Sequence, residues 1–229
     1  MRKRLRRKRR LGRRDKFCAI FLYFFINFKN LLLFYIIVSI TENVGKIRNS
    51  IPDDVLLVVV IKYASNEQIL ELVKMGVIDL GFNTYQQING VKKSLPSNAR
   101  IHFIGHLQSN KIRKLLRENV FLIQSVDSYK LAERINKVAD ELGMKQDILL
   151  QVKTDESKEY GLSPLEIESI ASKINNDFRN VNIKGLMTIP PLSNPENSRK
   201  YFSLMKELYD KLSKKMDKKR RRPLVKQRS

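Results

Sequence analysis

The sequence predicts an α/β fold with parallel strands, and three observations indicate it. Six apolar stretches, each short enough to be a strand, recur at intervals of roughly 20 to 35 residues. Each stretch is followed by a segment with the apolar spacing of an amphipathic helix. The first stretch, residues 55–61, is unbroken Val, Leu and Ile, which is typical of a strand buried on both faces of its sheet. Such alternation favours right-handed crossovers, in a sheet that is either doubly wound or closed as a barrel.

The elements can be placed in order from residue 39. A leading helix over 39–50 and a turn over 51–54 precede the first strand. Ser65 and Gln68 have the spacing of a capping box, which predicts the start of a helix, and Gly76 is the residue at which that helix ends. The elements predicted next are strand 77–80, helix 84–95, strand 100–104, helix 109–119, strand 120–126, helix 128–142 with Gly143 as its stop, and strand 147–152.

A second capping box is predicted at Ser163 and Glu166, with Pro164 at the first helical position. The helix that it opens runs to about Asn176. The remaining elements are strand 181–189 and a last helix from Asn194 to about Leu212. No Gly-x-Gly-x-x-Gly and no Walker A motif occurs in the chain, so the usual nucleotide-binding folds are disfavoured.

The positive charge of the chain is concentrated at its two ends. The formal net charge is +22, of which residues 1–16 contribute +10 and residues 214–229 contribute +8, which leaves +4 for the 17–213 segment. We therefore expect two basic appendages that are disordered by self-repulsion, and no specific nucleic-acid partner. A single cysteine among 229 residues excludes a disulfide framework and favours a reducing, cytoplasmic setting.

Residues 17–38 form a hydrophobic stretch about as long as a membrane-spanning helix, and basic residues precede it. Its middle contains Asn27, Lys29 and Asn30, and a lysine there costs roughly 2.5 to 3.5 kcal/mol on insertion scales. No small-residue cleavage site follows, which argues against a removable signal peptide. A membrane anchor, an interfacial segment and an extension without function remain open. The predicted organisation is an N-terminal extension (1–38), a globular domain (39–213) and a basic tail (214–229).

Polar residues follow the predicted strands, at the edge where parallel sheets bind ligands. Lys62 comes directly after the first strand. The residues at the other strand ends are Gly81, Asn83, His102, Gly105 to Lys111, Lys153, Met187 and Thr188. A partly desolvated lysine amine is a nucleophile that forms Schiff bases with aldehydes, whereas a lysine that leaves the strand for solvent has no such role. The pattern predicts a ligand site with Lys62 at its centre.

Four of these segments resemble the pyridoxal phosphate homeostasis protein family. They are the strand that ends in Lys62, Gly81-x-Asn83, His102-Phe-Ile-Gly-His-Leu-Gln-Ser-Asn-Lys111 and Gly185-Leu-Met-Thr-Ile-Pro190. The resemblance covers residues 39 to about 212. It implies the fold of the N-terminal domain of alanine racemase, a TIM-type (β/α) barrel, of which this chain has about six βα units of eight.

The resemblance also implies a function. Pyridoxal phosphate would be bound as a Schiff base on Lys62, with Asn83, His102 and Met187 as further cofactor-binding residues. The protein would supply or buffer the cofactor without catalytic turnover, with no catalytic residue and no metal site, as a monomer if the barrel is complete. Taken alone, His102 is also compatible with a structural histidine.

The chain departs from the family pattern at several places. Ile61 and Phe82 stand where the family has serine and glutamate, so the hydrogen bonds near Lys62 differ from the usual ones. After residue 212 the sequence becomes basic instead of forming two further βα units that hold the phosphate, so we expect weakened phosphate binding and open edges at the first and sixth strands. Two alternatives are a racemase-like pyridoxal phosphate enzyme, which needs an additional domain, and a membrane-anchored or basic-tailed interaction protein.

Overall fold

The structure is a computed structural model, and it describes residues 40–62, 64–191 and 195–220. The basic start, the hydrophobic stretch 17–38 and the last nine residues of the basic tail lie outside the described residues. The predictions of a membrane segment and of disorder at those positions therefore stay predictions.

The described residues form seven helices and six strands. The helices are α1 (Ile40–Ser50), α2 (Asn66–Lys74), α3 (Tyr85–Val91), α4 (Ile112–Arg117), α5 (Tyr129–Glu141), α6 (Ile167–Asp177) and α7 (Pro195–Arg220). The strands are β1 (Val59–Val60), β2 (Asp79–Phe82), β3 (Arg100–Phe103), β4 (Leu122–Val126), β5 (Gln146–Gln151) and β6 (Val181–Met187). Single 3₁₀ turns over Lys92–Ser94 and Ser109–Lys111 follow α3 and precede α4.

The six strands form one sheet in the order β1-β2-β3-β4-β5-β6, and every neighbouring pair is parallel. The predicted fold class is confirmed, because strands and helices alternate along the chain as in the N-terminal fold of alanine racemase. Among the described residues, no helix combines the length and the apolar character that crossing a membrane requires.

The first strand is shorter than its apolar run predicts. Residues 55–61 were expected to pair throughout, but the ladder joins only Val59 to Leu80 and Val60 to Gly81. A parallel ladder needs a partner strand, and β2 begins only at Asp79. The amide of Val55 instead donates to the carbonyl of Pro52 at 3.0 Å, so the start of the run belongs to a turn.

The capping box predicted at Ser65 is confirmed. Ser65 Oγ accepts from the Gln68 amide at 3.3 Å, and Gln68 Oε1 accepts from the Ser65 amide at 2.8 Å. The box predicted at Ser163 is wrong, because Ser163 Oγ accepts from the amide of Leu165, two residues on. The helix α6 then begins at Ile167 without a side-chain cap.

The last helix is longer than predicted, since α7 continues past Leu212 to Arg220. Residues 214–220 therefore belong to this helix, and disorder of the basic tail stays a prediction. Lys, Arg and Met are good helix formers, and Lys206–Asp210 and Glu207–Lys211 are ion pairs at the favourable four-residue spacing. The buried side chains Tyr201, Met205, Leu208 and Leu212 attach this helix to the rest of the domain.

The two faces of the sheet differ in polarity. Side chains at alternate strand positions point to opposite faces, and the set that faces the helices is apolar and fully buried: Leu80, Ile101, Ile123, Ile148 and Leu150. The opposite, concave face carries Asp79, Arg100, His102, Gln124 and Asp147. A polar interior in an otherwise apolar domain marks the part of the fold where a ligand site is expected.

Candidate functional site

Lys62 lies at the carboxyl end of β1, directly after the last bond that joins β1 to β2. The amide of Ile61 donates to the carbonyl of Gly81 at 3.1 Å. The side chain of Gln87, on the first turn of α3, donates from Nε2 to the carbonyl of Lys62 at 2.8 Å. Gln87 Oε1 also accepts from the amides of Asn83, at 3.1 Å, and Thr84, at 3.2 Å. One side chain therefore fixes the backbone at Lys62 to the end of β2.

Asn83 lies beside Lys62, because Val60 pairs with Gly81 and each residue follows its strand end. Its Oδ1 is buried and has no hydrogen-bond partner among the described residues. Leaving a buried acceptor unsatisfied costs about 1–3 kcal/mol, so such atoms in native proteins usually bind water or a ligand. A buried acceptor that lacks a donor therefore follows β2, the strand paired with the one that leads to Lys62.

Gly105 holds the end of β3 against the end of β2. A Cβ atom at this position would lie 1.9 Å from the carbonyl oxygen of Asn83, so no residue with a side chain fits without displacing that backbone. The carbonyl of Gly105 in turn accepts a 2.5 Å hydrogen bond from Ser125 Oγ at the end of β4. The glycine within the predicted segment 102–111 thus brings three strand ends together.

His102 lies on the concave face, one inward position below the carboxyl edge of the sheet. We call this edge, after which Lys62 and Asn83 follow, the rim. Its side chain is 1% exposed, with Nε2 2.9 Å from Asp79 Oδ1 and Nδ1 2.8 Å from the amide nitrogen of Gln124. Because an amide nitrogen donates, Nδ1 is assigned as the acceptor and Nε2 carries the hydrogen directed at Asp79. Both ring nitrogens have protein partners, and contact between His102 and a cofactor stays a prediction.

Asp79 supplies the carboxylate that accepts hydrogen bonds from both His102 and Arg100. Burial of its carboxylate opposes ionisation, but the hydrogen bonds from His102 and Arg100, together with the positive charge of Arg100, lower the pKa of Asp79 below its ordinary value. The carboxylate is therefore ionised at neutral pH. Its charge orients His102 and keeps Arg100 over the floor of the concave face, where the guanidinium lies 5.1 Å from the ring centroid of Phe121.

Met187 and Thr188 are at the opposite side of the rim from Lys62. Met187 is fully buried at the end of β6, and its carbonyl accepts from the amide of Val152 at 2.7 Å. Thr188 Oγ1 donates to the carbonyl of Val152 at 3.0 Å and lies 2.8 Å from Thr154 Oγ1. Since β1 and β6 are the two edge strands of the described sheet, the predicted residues come from both ends of the strand order.

The loop after β5 covers part of the rim and was not singled out from the sequence. The ring of Tyr160 stacks on His106, with ring centroids 4.2 Å apart, and His106 Nδ1 lies 3.7 Å from Asp127 Oδ2. A hydrogen bond with Glu159 raises the pKa of Tyr160. Gly161, at φ +129°, lets the chain return to the end of β5, where a Cβ atom would lie 2.6 Å from the amide nitrogen of Lys153.

The sequence contained signals for three residues that were not singled out from it. Thr84 and Gln87 have capping-box spacing, and both bonds of that box are present, so the same rule that found Ser65 applies to them. Gln124 is a polar residue inside an apolar strand, which indicates a special role for its side chain. Its hydrogen bond to His102 could not be foreseen, because it depends on the register between β3 and β4.

Comparisons with known proteins agree with this architecture. The family model described as the N-terminal domain of alanine racemase matches residues 37–224. The pyridoxal phosphate homeostasis protein from Aquifex aeolicus is 36% identical over 149 residues, which are 64% of this chain and 64% of that protein. Its counterpart from Homo sapiens is 31% identical over 172 residues, or 70% of this chain and 62% of that protein. The chain therefore spans less than two thirds of the length of these two relatives.

A solved structure is similar over a larger share of both chains. PipY from Synechococcus elongatus, whose structure has pyridoxal phosphate bound, superimposes with a TM-score of 0.70 at 30% sequence identity. The superposition covers 77% of this chain and 83% of PipY.

Proposed function

The chain belongs to the pyridoxal phosphate homeostasis protein family, and from this premise we propose that it binds pyridoxal phosphate at the carboxyl edge of its sheet. In this proposal it holds the cofactor for supply or buffering and does not turn over a substrate. The proposed setting is the cytoplasm, because the one cysteine among 229 residues suits a reducing compartment.

The observation that carries the proposal is that Lys62 and Asn83, whose Oδ1 is buried and unsatisfied, follow the ends of the neighbouring strands β1 and β2. The two groups fit the ligand chemically. The Lys62 amine can bind the aldehyde of pyridoxal phosphate as a Schiff base, and the Asn83 acceptor takes a hydrogen from a ligand donor. Gln87 supports both functions, since it holds the backbones of Lys62 and Asn83 with a single side chain.

Two further residues complete the proposed site. Met187 supplies an apolar wall from β6, and His102 supports the floor beneath the rim. When bound, pyridoxal phosphate supplies an aldehyde for amines and a conjugated ring that withdraws electrons. The chain's own residues bind it, orient it and exclude water from its inner side.

The state of His102 supports a holding role rather than catalysis. Racemisation of an amino acid needs an acid or base that reaches its α-carbon. In the described part of the chain, the buried histidine below the rim has both nitrogens engaged, by Asp79 and Gln124. A racemase-like activity would thus require a proton-transferring group other than His102.

The proposal is tested by trapping the cofactor on the full chain. We expect added pyridoxal phosphate to give an imine absorbance, and borohydride reduction followed by peptide mapping to place the label on Lys62. Lys62→Ala should abolish the label. Lys153→Ala is the matched control, because it removes another amine of the same rim, at the end of β5, and should leave labelling unchanged. Equal labelling of the Lys62→Ala protein would overturn the assignment.

Turnover is measured on the same samples. With pyridoxal phosphate bound, we expect no exchange of the α-proton of alanine for deuterium above the rate of the free cofactor. Exchange that depends on Lys62 would contradict the holding role and favour the racemase-like alternative.

A further inference from the structure

The paired part of β1 and β2 is short, and before it the two chain segments that lead into these strands are separate. The ladder joins Val59 to Leu80 and Val60 to Gly81. Continued toward the amino ends of the strands, this register would place residues 55–57 opposite residues 76–78. In the structure a hollow of about 310 Å³ lies between the two segments, at the amino edge of the sheet. The hollow is therefore separate from the rim and from the candidate cofactor site.

Hydrogen bonds fix both walls of the hollow. On the β1 side, the amide of Val55 donates to the carbonyl of Pro52 at 3.0 Å, so the start of the apolar run is part of a turn. On the β2 side, the amide of Val77 donates to the carbonyl of Leu72 in α2 at 3.1 Å. The space between the walls is therefore built by local structure. Its volume is at the lower end of the range of small-molecule pockets, about 300 to 1,000 Å³.

Two residues of opposite charge line the hollow. Arg48, in the last turn of α1, donates to the carbonyls of Met75 and Gly76, both at 3.0 Å. These bonds use two of the five N–H donors of a guanidinium, so the others can bind a carboxylate. Asp53 lines the hollow from an exposed turn and brings a carboxylate. The hollow thus offers one cation and one anion to a ligand.

The rest of the lining contains a third charge and several apolar residues. Asp79 lines the hollow at the start of β2, but its carboxylate is already engaged by Arg100 and His102. The apolar residues of the lining include Ile51, Val55, Leu57 and Val77. Apolar walls with a small number of placed polar groups are typical of sites for small molecules.

We propose that this hollow binds a small zwitterion with an apolar body, namely an aliphatic amino acid. The ligand carboxylate binds the guanidinium of Arg48, the ligand ammonium binds the carboxylate of Asp53, and the aliphatic side chain contacts the apolar part of the lining. A ligand with an anionic group alone would face the carboxylates of Asp53 and Asp79, and a ligand with an ammonium alone would face the guanidinium. This inference goes beyond the proposed function and does not rest on cofactor binding.

Volume and charge separate this ligand class from larger and more highly charged ones. At about 30 Å³ per molecule, the hollow has room for roughly ten waters, which is enough for an amino acid with a branched aliphatic side chain. The zero net charge of such a ligand matches a lining with one guanidinium and one available carboxylate. A phosphate-bearing ligand would instead bring roughly two negative charges toward Asp53 and Asp79.

The test is a titration of the full chain with L-leucine, in the absence of pyridoxal phosphate, followed by amide NMR. We expect saturable shifts of the amides of residues 76–79, with a dissociation constant on the order of 1 mM. Isocaproate has the leucine skeleton without the ammonium, and isoamylamine has it without the carboxylate. Each should bind at least about tenfold more weakly than leucine, because each lacks one charge-assisted hydrogen bond.

Two neighbouring aspartates provide a matched pair of variants. Asp53→Asn and Asp54→Asn each remove an exposed carboxylate from the same turn, but of the two only Asp53 lines the hollow. We expect Asp53→Asn to weaken leucine binding by about tenfold or more and Asp54→Asn to change it by less than about twofold. Both positions are exposed, so both variants should fold as the unaltered chain does.

Lys62→Ala separates the hollow from the rim. It should bind leucine as the unaltered chain does, because Lys62 does not line the hollow. Loss of leucine binding in this variant would place the ligand at the rim and overturn the proposal. The same holds for an absence of saturable shifts at about tenfold the expected dissociation constant, for equal binding of the three compounds, and for equal effects of the two aspartate variants. Leucine binding to a chain that shows no cofactor labelling would count against the proposed function alone.

Discussion

At the scale of single residues, the charge of Asp79 is held inside the sheet by two donors of different kinds. His102 donates one hydrogen from Nε2, while Arg100 brings a full positive charge on a side chain that is about one third exposed. Burial of the carboxylate alone would raise its pKa, and these two partners reverse the direction. The low pKa of Asp79 therefore depends on both partners. Removing the carboxylate deprives Arg100 of its counter-charge and leaves fewer acceptor oxygens for the donors of Arg100 and His102.

We expect Asp79→Asn to destabilise the protein by about 2 kcal/mol, measured by urea denaturation at pH 7. The variant removes the counter-charge of a half-buried guanidinium and replaces one of the two acceptor oxygens by a donor NH2, so that one oxygen remains for the donors of Arg100 and His102. Asp54→Asn, in an exposed turn, is the control and should change stability by less than about 0.5 kcal/mol.

The pH dependence of stability provides a second reading of Asp79. A carboxyl whose pKa is lower in the folded than in the unfolded chain contributes its full stability above about pH 4, and this is lost as the pH falls through the folded value. Below pH 4, stability should therefore fall less steeply in Asp79→Asn than in the unaltered chain. Parallel curves would show that Asp79 keeps an ordinary pKa.

A second carboxylate, that of Asp155, accepts hydrogen bonds from hydroxyls in two different parts of the fold. The hydroxyl of Ser157 is the main cause, followed by the hydroxyl of Tyr201 on α7 and the amide of Ser157, and together they lower the pKa of Asp155 to about 2. The contact of Tyr201 with Asp155 also links α7 to the rim loop after β5.

We expect Ser157→Ala to raise the pKa of Asp155 toward its ordinary value of about 3.9 and Tyr201→Phe to raise it by a smaller amount. The stabilising contribution is complete above about pH 4 and is lost between about pH 4 and 2. Carboxyl-carbon NMR titration measures both shifts, with Ser169→Ala as a control outside this cluster. A larger effect of Tyr201→Phe would reverse the assigned order of causes.

At the scale of elements, local chemistry decided what could be predicted. The box at Ser65 was predictable because its two hydrogen bonds lie within four residues. Ser163 has the same spacing, yet its hydroxyl bonds two residues on, and the sequence holds no signal for that choice. The length of β1 and the bonds between Asp79, His102 and Gln124 depend on strand register, which local sequence does not determine.

The residues of the rim also divide into those that local sequence predicts and those whose contacts depend on the fold. Lys62 and Asn83 were predicted from their positions after apolar strands, and in the structure they follow β1 and β2, which are neighbours in the sheet. The role of Gln87 in joining them is a contact between α3 and the residue after β1, 25 positions apart in the chain. Pairing a strand end with a helix cap over that separation requires the three-dimensional arrangement.

The close approach of β2 and β3 at the rim gives an element-scale prediction. We expect Gly105→Ala to destabilise the protein by about 3 kcal/mol, because the new Cβ would lie 1.9 Å from the Asn83 carbonyl and must displace it. It should also weaken pyridoxal phosphate binding, since the displaced backbone carries Asn83.

Gly90 provides the matched control. It lies in α3, and a Cβ atom at this position would have no neighbour within 4 Å. Gly90→Ala should therefore stabilise the protein by about 0.5–1 kcal/mol, because alanine has the higher helix propensity. Chemical denaturation measures both variants, and an absorbance titration measures cofactor binding. A neutral Gly105→Ala would show that the two strand ends separate easily.

At the scale of the whole molecule, the charge is divided between a nearly balanced middle and two strongly basic ends. Of the net +22, the ends contribute +10 and +8. The basic end of the chain is partly helical, since α7 continues to Arg220. The candidate cofactor site lies between these ends in sequence and uses hydrogen bonds and an amine, neither of which needs the terminal charge.

Because the ends are basic without aromatic residues interleaved for stacking, we expect the full chain to bind duplex DNA without sequence preference. Counterion release then dominates, and an end that neutralises six or more phosphates loses roughly a thousandfold in affinity between about 50 and 200 mM salt. Fluorescence anisotropy with two unrelated duplexes over that salt range measures both properties. Lys62→Ala should bind DNA as the unaltered chain does, while its cofactor labelling is lost, because Lys62 is not one of the residues of the basic ends. Binding that persists at 200 mM salt and differs between the duplexes would show base readout and would contradict the view that the basic ends are appendages of a cofactor-binding domain.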